Sequence, residues 1–245
     1  MSNKILFVFE GEKTECEIAE NLFHRYFPPG GKEKIISSFC GDVYSLYSKL
    51  QRDDDLDIFS FLKETPKNQH LRSIKRREIS EIYLFFDYDG HATAADDKKL
   101  KELIDFFCEE TEKGKIYINY PMVESLKHIN ISIDNPDEIF KEKIVSAKNN
   151  IKYKKIVGDE CSSELCSFKL ITELNWNLIM RMHLCKANHI VENNYILPRS
   201  LISQENLFAK QMEDFILPSA KVSVVSSFPL FFLDYFGLSI IEKIS

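Results

Sequence analysis

The chain has 245 residues, 44% hydrophobic and 29% charged, enough for one sizeable domain or two small ones of ordinary folded composition. With 8 Gly and 8 Pro it has little room for long disordered linkers. A formal net charge of -6 excludes a general polycation that coats nucleic acid by bulk attraction, so any polyanion must be met by local basic patches.

Ile5 to Phe9 is continuously apolar, as expected of a central parallel strand covered on both faces. The run is too short for a signal-peptide core and ends in Glu10-Gly11-Glu12-Lys13. Thr14 and Glu17 have the spacing of a capping box, and Ile18, Leu22 and Tyr26 follow at helical spacing until Pro28-Pro29-Gly30-Gly31. A second strand is expected over Ile35 to Phe39. Asp42 is placed to cap the next helix, whose Val43, Leu46, Tyr47 and Leu50 share one face.

Residues 53–80 are polar and charged, with one short amphipathic piece at Ile58 to Leu62, and read as an insertion. "EIYLFF", residues 81–86, is a third strand that runs into Asp87, Tyr88 and Asp89. Leu100, Leu103, Ile104 and Phe107 mark a helix, and "KIYIN", residues 115–119, a fourth strand. Strands alternating with helices predict an α/β fold with a parallel, Rossmann-like sheet and right-handed crossovers. From about residue 131 to 245 the pattern is mostly helical, with long candidates at "SELCSFKLITELNWNLIMRMHL" and "SQENLFAKQMEDFI". The division therefore falls near residue 130. Val222 to Ile241 is the most apolar C-terminal run, but Pro229, Asp234 and Gly237 interrupt it, so no membrane span is expected. Six cysteines in a chain of this length do not resemble a disulfide scaffold and are expected as reduced thiols in a cytoplasmic protein.

Ligands of open α/β sheets bind at the carboxyl ends of the strands. Glu10 closes the first strand, and Asp87 and Asp89 close the third. If those strands are neighbours, three carboxylates converge, and their mutual repulsion is relieved by a divalent cation. Oxygen-only donors completed by water suit Mg²⁺ or Mn²⁺ better than zinc.

"FVFEGEKTE" followed by "LFFDYDG" resembles the TOPRIM domain of topoisomerases, primases and OLD-type nucleases, over about residues 4–126. The resemblance implies a metal held by Asp87 and Asp89, with Glu10 as ligand or proton shuttle. "FCGDVYSLYSKL", "YPMVESLKHI" and "SSFPLFFLDYFG" are similar to the small TOPRIM effectors of bacterial anti-phage systems such as PARIS, which work beside an ABC-type ATPase. That implies a toxic, Mg²⁺-dependent endonuclease acting on DNA or RNA, including tRNA, and held in check by the ATPase. The spacer between the two motifs is longer than the family pattern. The helical half carries no chemical motif and is expected to mediate assembly, with a partner or with further copies of the chain.

Other residues enter more weakly. Gly11 and Lys13, at a helix start, are placed to hold a phosphate, although a first-turn lysine is as often simply solvated. Glu124, just past strand four, is a candidate fourth metal ligand. Arg72, Lys75, Arg76 and Arg77 form a basic cluster placed to contact nucleic acid, and Lys141, Lys143, Lys148, Lys152, Lys154 and Lys155 a second, although charge runs are usually solvated faces. Cys161, Cys166, His183, Cys185 and His189 do not match common zinc spacings and fit core positions better. "FFDYDGHAT" also resembles the D-x-D-G-T of haloacid-dehalogenase-like phosphatases, but follows the third strand and leaves "EGEKTE" without a role. A non-enzymatic adaptor built on the same sheet is the rival from another class.

Overall fold

A computed structural model describes residues 4–38, 41–53, 55–148 and 152–244. The chain forms two compact units, Met1–Asp87 with Ala94–Tyr117, and Tyr88–Thr93 with Ile118–Ser245. The sequence places the division near residue 130.

In the first unit β1 (Lys4–Phe9) leads through α1 (Thr14–Tyr26) to β2 (Glu33–Ser38). Phe39, the last residue of the expected second strand, lies outside the described residues. α2 (Val43–Leu50) starts as expected, with the Asp42 carboxylate accepting the Ser45 N–H at 2.7 Å. The polar stretch that reads as an insertion contains α3 (Ile58–Glu64) and a 3-10 segment, Pro66–Ser73. β3 (Ile79–Asp87), α4 (Asp97–Phe106), the two-residue β4 (Cys108–Glu109) and β5 (Gly114–Asn119) complete the sheet.

The architecture is α/β around a mostly parallel five-stranded sheet of order β2-β1-β3-β5-β4. β1 pairs in parallel with β2 on one side and β3 on the other, whereas the short β4 is antiparallel to β5. Aromatic residues alternate along the strands and so share one face. Phe7 lies 4.2 Å, centroid to centroid, from Phe23 of α1 and 5.7 Å from Tyr83, and Phe85 stacks on Tyr117 at 5.3 Å. Burying each such ring contributes about 2 kcal/mol, which makes this face the anchor of the unit.

One local expectation fails. Thr14 is the first helical residue rather than the N-cap, and Lys13 occupies the cap position without a side-chain bond. The expected Thr14–Glu17 capping box is absent. Glu15 turns back instead, and its Oε1 accepts the Gly11 N–H at 3.0 Å.

The second unit is mostly helical, as expected, with α5 (Pro136–Lys141), α6 (Tyr153–Glu160), α7 (Glu173–Glu192), α8 (Gln204–Lys210), α9 (Leu217–Ser219), α10 (Ser227–Phe236) and α11 (Ser239–Ile244). It also holds an antiparallel pair that sequence reading missed, β6 (Ile144–Ser146) with β7 (Lys221–Ser223). The helical candidate starting at Ser163 is broken. Ser163–Leu165 is a 3-10 turn, and α7 begins only after Thr172, whose hydroxyl accepts the Asn175 N–H. α8 runs on through a π-helical turn at Gln211–Ile216.

Candidate functional site

The strand order places the topological switch point between β1 and β3. The chain moves from β1 outward to β2 and then returns to the other side of β1. Crevices beyond the carboxyl ends of the strands at such a point are the usual ligand sites of open α/β sheets. In the parallel register Phe9 stands opposite Phe85, so Glu10 and Asp87 emerge together at that edge.

Glu10 continues the ladder one residue past β1, its N–H donating to the Phe85 carbonyl at 3.2 Å. Its side chain then crosses to the neighbouring strand, where Oε2 accepts the Asp87 N–H at 3.0 Å. The two acidic motifs are thus joined directly. Asp87 is nearly buried, with 7% of its surface exposed.

Two further residues at this edge were not singled out by sequence reading. Glu15 is buried beneath the turn, and a Cβ on Gly11 would lie 2.5–2.9 Å from its carboxylate, so the glycine makes room for it. Lys67, from the 3-10 segment, makes an ion pair with Glu12. Glu15 is visible in "EGEKTE", but the capping-box spacing falls on Thr14 and Glu17 and gives Glu15 no role. No spacing could have announced Lys67, because a polar segment folded back from fifty residues away delivers it. Lys13 is exposed at the start of α1.

Asp89 and Glu124 belong to the second unit. Asp89 has a left-handed backbone, φ 47°, and donates its N–H to the Pro121 carbonyl at 3.4 Å. Its Oδ1 lies 2.9 Å from His91 Nδ1. A Cβ on Gly90 would come within 2.5 Å of both the Ala147 carbonyl and the Tyr88 ring, so only glycine fits there. Glu124 is 6% exposed, meets Lys154 at 3.1 Å through Oε1, and keeps Oε2 buried without a hydrogen-bond partner.

The first basic cluster and the acidic residues lie at opposite ends of β3. Lys75, Arg76 and Arg77 immediately precede β3 and so lie at its amino end, whereas the acidic residues close its carboxyl end. Nine strand residues separate the two ends by about 30 Å, too far to share one phosphate. Arg76 is committed to the carbonyls of Ile79 and Glu112 at 3.2 and 2.9 Å. Arg72 is exposed on the 3-10 segment. The second cluster is dispersed among carboxylates, with Lys141 on Glu138 and Glu142, Lys143 on Glu160, and Lys154 on Glu124.

The weak zinc reading also fails to assemble. Cys161 and Cys166 bring their Sγ atoms to 2.7 Å, but His183 is fully buried elsewhere. Its Nε2 faces the Leu126 carbonyl at 3.2 Å and its Nδ1 accepts the Ser226 N–H at 3.0 Å. Burial holds the His183 imidazole down at about 3, and pushes the Cys185 thiol up to about 11. Among the described residues, no group of three or more His, Cys, Asp or Glu side chains stands close enough to hold a metal by itself.

No family model, no curated protein and no solved structure matches the chain. No helix among the described residues is long and apolar enough to cross a membrane.

Proposed function

We propose that the chain is a TOPRIM-like, metal-dependent nuclease that hydrolyses phosphodiester bonds in DNA or RNA at the carboxyl edge of β1 and β3. The observation that carries this reading is the hydrogen bond from the Asp87 N–H to the Glu10 carboxylate. It joins the Glu-Gly and Asp-x-Asp motifs at the edge where α/β sheets bind ligands. The donor chemistry fits a hard cation, since Glu10 and Asp87 offer oxygen alone. Mg²⁺ is commonly held by one or two carboxylates, with waters and substrate phosphate oxygens filling the other positions, so a triad of protein ligands is not required.

When bound, Mg²⁺ or Mn²⁺ polarises the phosphoryl oxygen and acidifies a water. Asp87 and Glu10 would hold the cation, leaving its other positions to water and substrate oxygens. Glu10 also takes the proton of the attacking water. Glu15, fixed by the Gly11 N–H, adds negative charge beside the turn and strengthens cation binding. Lys13 offers its ammonium to a phosphate oxygen at the start of α1. The basic residues at the amino end of β3 are left out of this mechanism. The resemblance to anti-phage effectors extends the reading to a toxic effector restrained by an ABC-type ATPase.

A non-enzymatic adaptor is the second reading, favoured by the lack of three converging metal-binding side chains among the described residues. Incubating the purified chain with Mn²⁺ and either total RNA or plasmid DNA separates the two. Cleavage that is abolished by chelator, Glu10→Gln or Asp87→Asn supports the nuclease. Intact substrates with the wild-type chain, together with growth that its expression does not slow, favour the adaptor.

A further inference from the structure

Four isoleucines in the second unit remain exposed where a core would ordinarily take them. Ile133, Ile139, Ile144 and Ile156 are 37%, 47%, 42% and 40% exposed. They come from the loop before α5, from α5, from β6 and from α6, yet they line two adjoining depressions of about 330 and 550 Å³. The depressions share His128, Ile139, Lys143 and Glu160. Contiguous exposed apolar surface rimmed by polar groups marks an interaction site more often than isolated exposed residues do.

The polar floor between the depressions is tied together. Glu160 Oε2 meets Lys143 Nζ at 2.8 Å and His128 Nε2 at 3.0 Å, while His128 Nδ1 meets the Tyr153 hydroxyl at 2.9 Å. Beneath it the fully buried Lys186 donates to the carbonyls of Phe140 and Lys143 at 2.7 and 2.6 Å, fixing the turn that carries Ile139 and Ile144. The rim is acidic. Glu138, Glu142, Asp159 and Glu160 line the depressions, against the single lining lysine, Lys143. Lys141 adds one more ammonium, 3.4 Å from both Glu138 and Glu142. Burial and the neighbouring Lys143 hold the His128 imidazole down at about 4, so it adds no positive charge at neutral pH.

We propose that this face is a docking surface for a basic amphipathic segment of a partner protein. Its apolar side chains seat between the four isoleucines, and its Lys or Arg side chains meet the rim carboxylates. Anchors at helical spacing laid into an apolar groove are a recurrent recognition mode, and complementary charge sets their register. A second copy packed face to face would set these carboxylates against their own equivalents. An anionic membrane would repel them. The proposal does not depend on nuclease activity.

The test uses the full chain and a fluorescent model peptide with leucines at helical spacing on one face and lysines on the other. Anisotropy should report binding that weakens at least about tenfold for the double variant Ile139→Ser/Ile156→Ser, which leaves the net charge unchanged. Glu138→Gln/Glu142→Gln should weaken it too, and should flatten its salt dependence. Circular dichroism verifies that both variants keep the fold, which is expected because the changed side chains are exposed. The proposal is overturned if neither variant affects binding, or if a peptide with glutamates in place of the lysines binds equally well. It also fails if the chain elutes as a dimer that Ile139→Ser dissociates, or if anionic vesicles capture the wild-type chain but not the isoleucine variant.

Discussion

Glu10 and Asp87, separated by 77 positions in the chain, are joined by one hydrogen bond from the Asp87 backbone N–H to Glu10 Oε2 at 3.0 Å. The bond gives Glu10 a structural duty as well as its proposed chemical one, and the two can be separated. Glutamine keeps an oxygen that accepts the same N–H but loses the charge. Glu10→Gln is therefore expected to melt within a few degrees of wild type while cleavage falls at least about a hundredfold. Calorimetry and a gel-based cleavage assay on the same preparation check this. Cleavage equal to wild type would leave Glu10 only the structural duty.

Gly11→Ala tests the packing of the turn on Glu15. The added methyl would lie 2.5–2.9 Å from the Glu15 carboxylate and must displace that side chain. Because a flexible side chain is what moves, the expected cost is modest, about 1 kcal/mol in urea unfolding. The apparent affinity for Mn²⁺ in the cleavage assay should fall as Glu15 swings away. A variant with unchanged stability and unchanged Mn²⁺ dependence would show that Glu15 does not matter there.

Stability should fall with acid below neutral pH. Burial holds His183 at about 3 and His128 at about 4 in the folded chain, against 6.5 for an exposed imidazole. Between roughly pH 6.5 and 4 the unfolded chain binds the protons that the folded chain refuses, so stability rises with pH across that window and is fully present above it. At pH 5 each imidazole costs about 2 kcal/mol. Urea unfolding at pH 5 and pH 7 measures the difference, and His183→Gln should remove about half of it. An equal pH dependence in that variant would assign the effect to other groups.

Thiol reactivity provides a test in the second unit. Burial, and then the bond and charge of Cys166, push the Cys161 thiol up to about 11, and burial does the same for Cys185. Both are thiols rather than thiolates at pH 8, so iodoacetamide should label them at least about tenfold more slowly than in the urea-unfolded chain. Peptide mass spectrometry resolves the sites. Labelling of Cys161 at the unfolded rate would show that its contact with Cys166 does not persist in solution.

The first half of the fold was legible because strands buried on both faces must be continuously apolar. Ile5 to Phe9 and Ile82 to Phe86 carry that signature without ambiguity, and the Asp42 cap follows from one side chain bonding its own helix. Thr14 misled because capping spacing says nothing about where the backbone turns, and the helix already includes Thr14, with Lys13 at the cap position. The β6–β7 pair was hidden because each strand has only three residues, too few for alternation to show. The basic run before β3 reads as a nucleic-acid contact, but residues that precede a strand lie at its amino end, away from the carboxylates that close it.

The order of charged and apolar residues by itself determined the α/β class, the helical second half and the positions of Glu10, Asp87 and Asp89 at strand ends. Periodicity and burial are local demands that a chain must meet wherever its neighbours lie. Only the tertiary structure decided that β1 and β3 are neighbours, that Glu10 meets the Asp87 backbone, and that Lys67 rather than Arg76 reaches the turn. Those are contacts between distant segments, set by how the sheet is ordered and how the crossovers pack.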